Sequence, residues 1–534
     1  MLHFKFMERM IMHYNKYILI TLFAATILTA CNPDLLDRDP DYKYTESTFW
    51  QTEETADAAL NSVYAELTYA GLFGGQATPL WEEGATPNVY CYSTSEGFDA
   101  IGRSQQSAST TGVIANRWKQ CYQGIGRANT LFAHIGDVGM DEEKQSLMEG
   151  EAYFLRALFY FELATYYGGV PLILEEPDPD SQVSLPRNTR EEVIQQVLAD
   201  LAIAADRLPV KQTGANIGRA TKGAALALKA RVLLYEASPL LNETNSTEKW
   251  QAAADAAKAV IDLAADAGYA LFSDYRGLFL PENENNQEVI FDVQYIFPDV
   301  THSFDLIDAQ YNTNAPLQDL VDAYQTTDGL EITDPASIYD SEKPYENRDP
   351  RLEATIVYPG ALFKGKPASA SYYKQTGYAM KKYSIYDKET PPDDKKDLKA
   401  GQSETNFIIL RYADVLMMYA EALNEVDPGN PAILENLNKI RKRVDMPQIA
   451  SGKAQFEMRD IIRKERRIEF VGEALYYNDI RRWKTAEVVM NAPIKTWKNS
   501  VIETRKFNKA RDYWWPVPQV ERDLNPNLEQ NPNY

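Results

Sequence analysis

The sequence predicts a mainly α-helical fold, an array of packed helix pairs with a large irregular, loop-rich insertion. A long apolar stretch from Asp141 to Leu174 carries helix-capping residues at both ends. Residues 221–265 and 413–444 each contain two segments of helical periodicity that are rich in small residues. Between these two regions, residues 270–405 lose that periodicity and are interrupted by glycine and proline, which predicts the insertion.

Residues 1–30 are predicted to be a lipoprotein signal peptide. Lys16 precedes the apolar run 17–30, which is too short to span a membrane but has the length of a signal-peptide core. The last four residues, Leu28 to Cys31, resemble a bacterial lipobox, in which the cysteine thiol receives lipid. We expect Cys31 to be lipidated and residues 31–50 to form a tether and N-terminal segment. An ordinary secretory signal is the alternative.

Residues 51–269 are predicted to form an N-terminal helical region. Thr52 begins one helix, helical signals return over residues 116–135, and a third helix runs from about 141 to 167. The third helix is apolar nearly all round, which predicts that it is buried between other helices. Arg156 and Glu162 interrupt its apolar run and exclude a membrane-spanning segment.

Two helix pairs are predicted, residues 221–238 with 249–265 and residues 413–422 with 431–444. Their small residues let helix backbones approach closely, as in tetratricopeptide-like hairpins. The second pair belongs to a C-terminal helical region, residues 406–534. There, arginines and glutamates between 463 and 482 lie at i, i+4 spacing, which we interpret as a self-neutralised helix and not as a nucleic-acid site.

Large aromatic side chains occur in two irregular regions, the loop 71–112 and the insertion 270–405. A long loop of this composition folds over the core or binds a ligand. Rings with polar edges stack on the C–H faces of sugars, while amides bond the hydroxyls. The candidate glycan-binding residues are Trp81, Asn88, Tyr90, Tyr92 and Phe98 in the loop and Tyr295 and Tyr311 in the insertion. The alternative is that these rings only pack the loop onto the helices.

The composition excludes several classes of function. A formal charge of −22 repels nucleic acid and anionic lipid. Of four histidines, His134 and His302 alone follow Cys31, so neither a multi-histidine metal site nor a histidine-based triad is expected. No nucleophile elbow, HExxH, phosphate loop or zinc spacing is present in the sequence. We therefore predict a protein that is not an enzyme, needs no cofactor and has no metal site that the sequence identifies; whether a structural metal ion is bound stays open.

The sequence leaves two further properties open, catalysis by paired carboxylates and a disulfide bond. Glycosidases need only two carboxylates, so a pair such as Glu82 and Glu83 leaves catalysis as a weak alternative. Cys91 and Cys121 lie in a compartment that permits disulfides, but the sequence does not determine the distance between them.

Three parts of the chain contain distinctive motifs. They are Glu151, Ala152, Phe154, Leu155, Arg156, Ala157 and Tyr167 to Pro171; Glu465, Arg466, Glu469, Phe470, Asp479, Arg482 and Trp483; and Tyr513 to Pro518 with Gln530 to Tyr534. These motifs resemble those of one known family, the SusD/RagB outer-membrane lipoproteins. The resemblance extends over nearly the whole chain, from the lipobox to Tyr534, although Asn533 stands where that family usually has glycine.

The resemblance implies a SusD-like fold and a surface-exposed lipoprotein anchored in the outer membrane through Cys31. It further implies that the protein captures oligosaccharide or polysaccharide and delivers it to a SusC-like TonB-dependent transporter, as a lid on that barrel. RagB-like relatives imply another cargo, peptide, which would be bound in a groove by backbone hydrogen bonds. The aromatic loop favours glycan.

Overall fold

The computed structural model describes residues 49–534. The predicted signal peptide, the predicted lipidation site Cys31 and nearly all of the predicted tether lie outside the described residues. Within the described range, every helix is either too short or too polar to cross a membrane.

Nine helices of 13 or more residues form the framework of the described chain. They are α1 (Glu53–Ala65), α2 (Val113–His134), α3 (Glu142–Tyr167), α4 (Arg190–Arg207), α5 (Lys222–Ala237), α6 (Thr247–Ala267), α7 (Tyr412–Val426), α8 (Pro431–Arg443) and α9 (Gln455–Glu469). Shorter helices are Thr78–Trp81, Phe98–Gly102, Pro179–Gln182, Phe304–Leu306, Gln318–Ala323, Pro350–Thr355, Tyr476–Arg482, Ala486–Val489 and Gln519–Leu524.

The predicted central helix, α3, begins and ends where the sequence indicates. The Asp141 carboxylate accepts hydrogen bonds from the backbone N–H groups of Glu143 and Lys144, at 2.9 and 3.3 Å. Gly168 follows the last turn at φ +80°, a conformation that glycine adopts without steric cost. Seventeen of its residues, between Met148 and Tyr167, are buried, as its apolar surface predicts.

The helices pack as an array of neighbouring pairs. Helix α3 packs against α2 and α4, and α5 packs against α6. Helix α6 also packs against α7, and α7 against α8, so the two predicted pairs meet through α6 and α7. Ala230 and Ala257, two of the small residues that predict close approach, are fully buried. The prediction of a mainly α-helical fold is confirmed.

Ten short strands form five antiparallel pairs in the described chain. They are β1 (Val89–Tyr90), β2 (Val289–Val293), β3 (Ala315–Pro316), β4 (Ile356–Val357), β5 (Leu362–Phe363), β6 (Lys366–Pro367), β7 (Ala379–Met380), β8 (Phe407–Arg411), β9 (Pro493–Lys495) and β10 (Val501–Thr504). The pairs are β1–β3, β2–β8, β4–β7, β5–β6 and β9–β10. The strand predicted at Val289–Val293 is therefore present, and its partner β8 leads directly into α7.

The charged stretch at α9 is neutralised by other elements instead of by its own i, i+4 neighbours. The Glu469 carboxylate contacts Arg411 at 2.8 Å, Arg351 at 3.0 Å and Arg443 at 2.5 Å. Burial alone would raise the pKa of Glu469, but these guanidinium groups, Arg443 first, hold that pKa well below its usual range. The acidic and basic residues of this signature thus join α9 to β8 and α8, which corrects the self-neutralised helix expected from sequence.

Candidate functional site

Trp81 and Phe98, two of the predicted glycan-binding residues, lie in the interior. Trp81 is 2% exposed, and its indole Nε1 donates a hydrogen bond to Thr313 Oγ1 at 2.8 Å. Phe98 is fully buried and packs edge-on against Trp515, with ring centroids 6.4 Å apart. These rings fold the loop 71–112 over the helical core, so they cannot contact a ligand in solvent.

Asn88 and Tyr295 are also buried. The Asn88 side chain donates to Glu83 and accepts a hydrogen bond from Arg467 at 2.8 Å, which leaves it engaged at both ends. The Tyr295 hydroxyl donates to the Phe73 carbonyl at 2.9 Å, and burial raises the pKa of this tyrosine. We therefore remove Trp81, Phe98, Asn88 and Tyr295 from the candidate site, because their polar atoms and ring faces are used inside the fold.

Tyr92 and Tyr311, in contrast, are exposed and lie together. Tyr92 is 39% exposed and Tyr311 is 56% exposed. The Tyr92 hydroxyl donates a hydrogen bond to the Tyr311 carbonyl oxygen at 2.7 Å, although the two residues are 219 positions apart. Partial burial, the largest cause, raises the pKa of Tyr92, so its phenol keeps this donated proton at neutral pH. The loop and the insertion thus form one surface here.

Pairing of strands β1 and β3 brings the two segments together. Tyr90, the remaining candidate of the loop, lies in β1 opposite Ala315 and is half-buried. Tyr311 ends a short π-helical turn, Ile307–Tyr311, and Asn312 follows it at φ +51°. The Asn312 side-chain amide donates to the Tyr378 carbonyl at 3.0 Å, which fixes the chain directly after Tyr311. Such π-helical turns occur frequently at functional sites.

A cavity of about 520 Å³ opens beside this turn and is called the insertion cavity below. Its walls are formed by Ala309 of the π-helical turn, the β5–β6 hairpin, and Ala368, Ser369, Tyr372, Tyr373, Thr390, Pro391, Lys396 and Asp397. Tyr372 lines it, is 63% exposed, and lies edge-on to the buried Tyr373 with ring centroids 5.0 Å apart. The cavity therefore offers an accessible ring above a pre-formed pocket, within the size range of small-ligand sites.

Sequence reasoning missed Tyr372 and the hairpin beside it. The signal was present, since Lys364 and Gly365 lie between Phe363 and a second lysine that precedes Pro367, and a two-residue turn ending in glycine is typical of a β-hairpin. The surrounding prolines masked it, because they lowered the periodicity of the whole insertion.

Glu82 and Glu83, the candidate catalytic carboxylates, are buried and form hydrogen bonds inside the fold. Glu82 accepts a hydrogen bond from Arg117 at 3.0 Å, and Glu83 accepts one from the Gly472 backbone at 2.9 Å. Burial raises the pKa of Glu83. Both side chains are 1% exposed, so neither lies on the surface of Tyr92 and Tyr311.

Cys91 and Cys121 do not form a disulfide bond in the structure. Cys91 and Cys121 are both free, buried thiols, and burial raises the pKa of Cys91 to about 12. Over residues 49–534, no three histidine, cysteine or acidic side chains lie close enough to hold a metal ion.

Comparisons with known families match most of the chain. Residues 34–234 match a family model described as starch-binding associating with outer membrane, and residues 287–534 match that of the SusD family. This chain belongs to the SusD/RagB family. The first match covers helices α1 to α4 and most of α5, the second covers most of the insertion and helices α7 to α9, and together they confirm the resemblance found in the sequence.

Individual SusD-like proteins are similar to the chain over nearly their full length. SusD-like protein P2 of Formosa agariphila is 27% identical and aligns with 96% of this chain and 99% of its own. A SusD-like protein of Bacteroides ovatus is 26% identical, over 87% of this chain and 82% of its own.

Solved structures have the same fold. A SusD-like carbohydrate-binding protein from Bacteroides fragilis has a TM-score of 0.78 and 27% identity, covering 90% of this chain and 100% of its own. Another SusD-like protein from Bacteroides fragilis has a TM-score of 0.77 and 28% identity, covering 93% of this chain and 100% of its own. Carbohydrate binding and association with the outer membrane are thus supported for this SusD/RagB member at the level of its family.

Proposed function

We propose that this protein captures oligosaccharide or polysaccharide at the cell surface and delivers it, uncleaved, to a SusC-like TonB-dependent transporter. The observation that supports this most strongly is the exposed pair Tyr92 and Tyr311, joined by a hydrogen bond; Tyr311 ends the π-helical turn whose Ala309 lines the insertion cavity. A lipid on Cys31 would anchor the protein in the outer membrane, since acyl chains hold a protein at a membrane without a spanning helix.

Exposed tyrosines suit glycan capture for a physical reason. Each ring offers an apolar face for the C–H groups of a pyranose and a hydroxyl for its polar edge. Stacking and hydrogen bonds of about 1 kcal/mol each add up to a modest affinity. A modest affinity is suitable here, because a carrier must release its cargo to the transporter.

An exposed apolar tip supports a protein partner. Ile296 and Val300 form an antiparallel bridge, with N···O distances of 2.8 and 2.9 Å, and Phe297 lies in the turn between them. These three side chains are 61%, 37% and 50% exposed, respectively. Contiguous exposed apolar groups commonly mark interaction surfaces, so we assign the hairpin tip, residues 296–300, to the contact with the transporter.

The function is tested by affinity electrophoresis of the soluble chain from Asn32 against plant, host and microbial polysaccharides. The same samples are analysed for released sugars, and a set of oligopeptides is titrated in parallel by calorimetry. We expect retardation by at least one polysaccharide and no released sugar. Binding of oligopeptides without any polysaccharide would replace glycan by peptide as the cargo, and released sugars would contradict a carrier without catalysis.

A further inference from the structure

The lining of the insertion cavity is basic in a strongly acidic protein. Lys364, Lys366 and Lys396 line it, whereas Asp397 is the one carboxylate among the described lining residues. The formal charge of the whole chain is −22. The negative field of the whole protein repels anionic ligands, but a local excess of ammonium groups attracts them. The cavity is therefore a favourable place for a ligand with negative charge.

The β5–β6 hairpin presents two of these lysines in a fixed geometry. Lys364 and Gly365 form its two-residue turn, both with positive φ, at +52° and +77°. Positive φ is uncommon for lysine, and such conformations persist where the surrounding structure imposes them. A Cβ atom at Gly365 would lie 2.0 Å from Thr390 Oγ1, so the turn of the β5–β6 hairpin is packed closely against Thr390, another residue of the cavity lining.

The ammonium groups of the three lysines differ in the hydrogen bonds and ion pairs that they already form within the protein. Lys364 Nζ donates to the Lys396 carbonyl at 2.7 Å and to Asp397 at 3.2 Å, so it holds the wall together. Lys396 Nζ lies 3.5 Å from Asp393 in an exposed pair, which contributes little and is easily exchanged. Lys366 is exposed and forms no ion pair with any residue from 49 to 534. Lys366 and Lys396 are therefore available to a ligand.

We propose that the insertion cavity binds an acidic sugar of the captured glycan, one that carries a carboxylate or a sulfate ester. Lys366 and Lys396 pair with its anionic group, and the exposed Tyr372 ring stacks on its apolar face. This inference rests on the proposed function and assigns a substrate class to it. Neutral glycans would lack the ion pairs and would bind less tightly at this cavity.

The test uses the soluble chain from Asn32 with three polysaccharides in calorimetry: polygalacturonate for the carboxylate, a sulfated galactan for the sulfate ester and a neutral galactan. The variants are the double change Lys366→Gln with Lys396→Gln and the single change Lys366→Arg. The double change Lys453→Gln with Lys509→Gln is the matched control, because both lysines are exposed, lie outside the cavity lining and change the net charge by the same two units.

We expect the Lys366→Gln, Lys396→Gln variant to bind the acidic polysaccharide about tenfold less tightly than the unmodified protein. Lys366→Arg should retain the affinity, and high salt should weaken binding by the unmodified protein because it screens the ion pairs. Binding of polygalacturonate alone identifies a uronate, and binding of the sulfated galactan alone identifies a sulfate ester. An equal loss of affinity in the Lys453→Gln, Lys509→Gln control would show that long-range charge alone causes the effect, and it would overturn the site. Preference for the neutral galactan, or absence of binding to all three, would overturn this inference, whereas glycan capture itself would be contradicted only by absence of binding to the whole panel of plant, host and microbial polysaccharides.

Discussion

At the residue scale, burial separates the aromatic side chains that hold the fold from those that can meet a ligand. The sequence marks Trp81 and Tyr92 equally, because both lie in the same irregular loop. The structure distinguishes them, since Trp81 is 2% exposed and Tyr92 is 39% exposed. Composition predicts how many rings a loop contains, but the direction of each ring depends on contacts far along the chain, such as Thr313 for Trp81.

Replacing Trp81 by phenylalanine is expected to reduce stability and leave glycan affinity unchanged. The variant loses the Nε1 hydrogen bond and leaves the Thr313 hydroxyl without that partner in a buried position. We expect a loss of about 2 kcal/mol in the free energy of unfolding. Urea denaturation measures the loss and calorimetry the affinity. A weaker glycan affinity at unchanged stability would return Trp81 to the binding site.

Glu162 is expected to make stability fall as the pH rises. Burial raises its pKa to about 7, and the guanidinium of Arg117, at 3.4 Å, only partly opposes that effect. The unfolded state releases this proton near pH 4.5, the ordinary value, whereas the folded state retains it up to about 7. The stabilisation that protonated Glu162 adds to the free energy of unfolding is therefore fully present below pH 4.5 and is lost as the pH rises through 7.

Urea titrations from pH 5 to pH 8 test this account on Glu162→Gln. We expect the free energy of unfolding to fall less steeply in the variant, by up to about 3 kcal/mol over the range. Glu284 also has a pKa raised to about 7 by burial, so a slope remains in both proteins. Identical slopes would show that Glu162 is ionised in the folded state.

At the element scale, the contacts between neighbouring helices depend on buried charge as well as on apolar packing. The Arg156 guanidinium of α3 binds both oxygens of the Asp200 carboxylate of α4, each at 2.8 Å. It also donates to Asn129 of α2 at 2.8 Å, so one side chain joins three helices. This explains why the family signature in α3 contains an arginine, Arg156, in the buried part of the helix.

Removing only Arg156 is expected to lower the free energy of unfolding more than removing both Arg156 and Asp200. Arg156→Met leaves the Asp200 carboxylate buried without its counter-ion, and we expect a loss of about 3 to 5 kcal/mol. Adding Asp200→Leu removes the unpaired charge and should restore at least about half of that loss. Urea denaturation of the single and double variants gives the comparison. A double variant as unstable as the single one would contradict this view of the pair.

The elements predicted from sequence are those whose signals are local. Asp141 and Gly168 predict the two ends of α3 because a cap needs only its own neighbours. The partners of Glu469 were not predictable, because Arg411, Arg443 and Arg351 come from other elements. Helix α9 therefore has the predicted balance of charge but different ion pairs.

At the scale of the whole molecule, the candidate site exists because distant segments meet. Tyr92 and Tyr311 are 219 residues apart, and the sequence proposes both without indicating that they touch. The β1–β3 pair that joins them is only two residues long in each strand, too short to produce an alternating pattern. The regions from 51 to 269, 270 to 405 and 406 to 534 remain predictions as domain boundaries.

The hairpin tip, residues 296–300, is expected to be needed for contact with the transporter but not for glycan binding. The double change Ile296→Asp with Phe297→Asp places two charges on its exposed apolar surface. We expect at least about tenfold less transporter to be recovered with the tagged protein from detergent-solubilised outer membranes. Val488→Asp is the matched control, since Val488 is 75% exposed on another element. Equal recovery with the hairpin variant would remove this tip from the interface.

The most direct test of glycan capture at the tyrosine pair is calorimetry with the polysaccharide that binds best. The double variant Tyr92→Ala with Tyr311→Ala is compared with Tyr92→Phe, which keeps the ring and loses only the hydrogen bond to the Tyr311 carbonyl. We predict at least about tenfold weaker binding for the double variant, a loss of about 1.4 kcal/mol or more, with unchanged unfolding and a much smaller loss for Tyr92→Phe. Unchanged affinity in the double variant would contradict glycan capture at this surface.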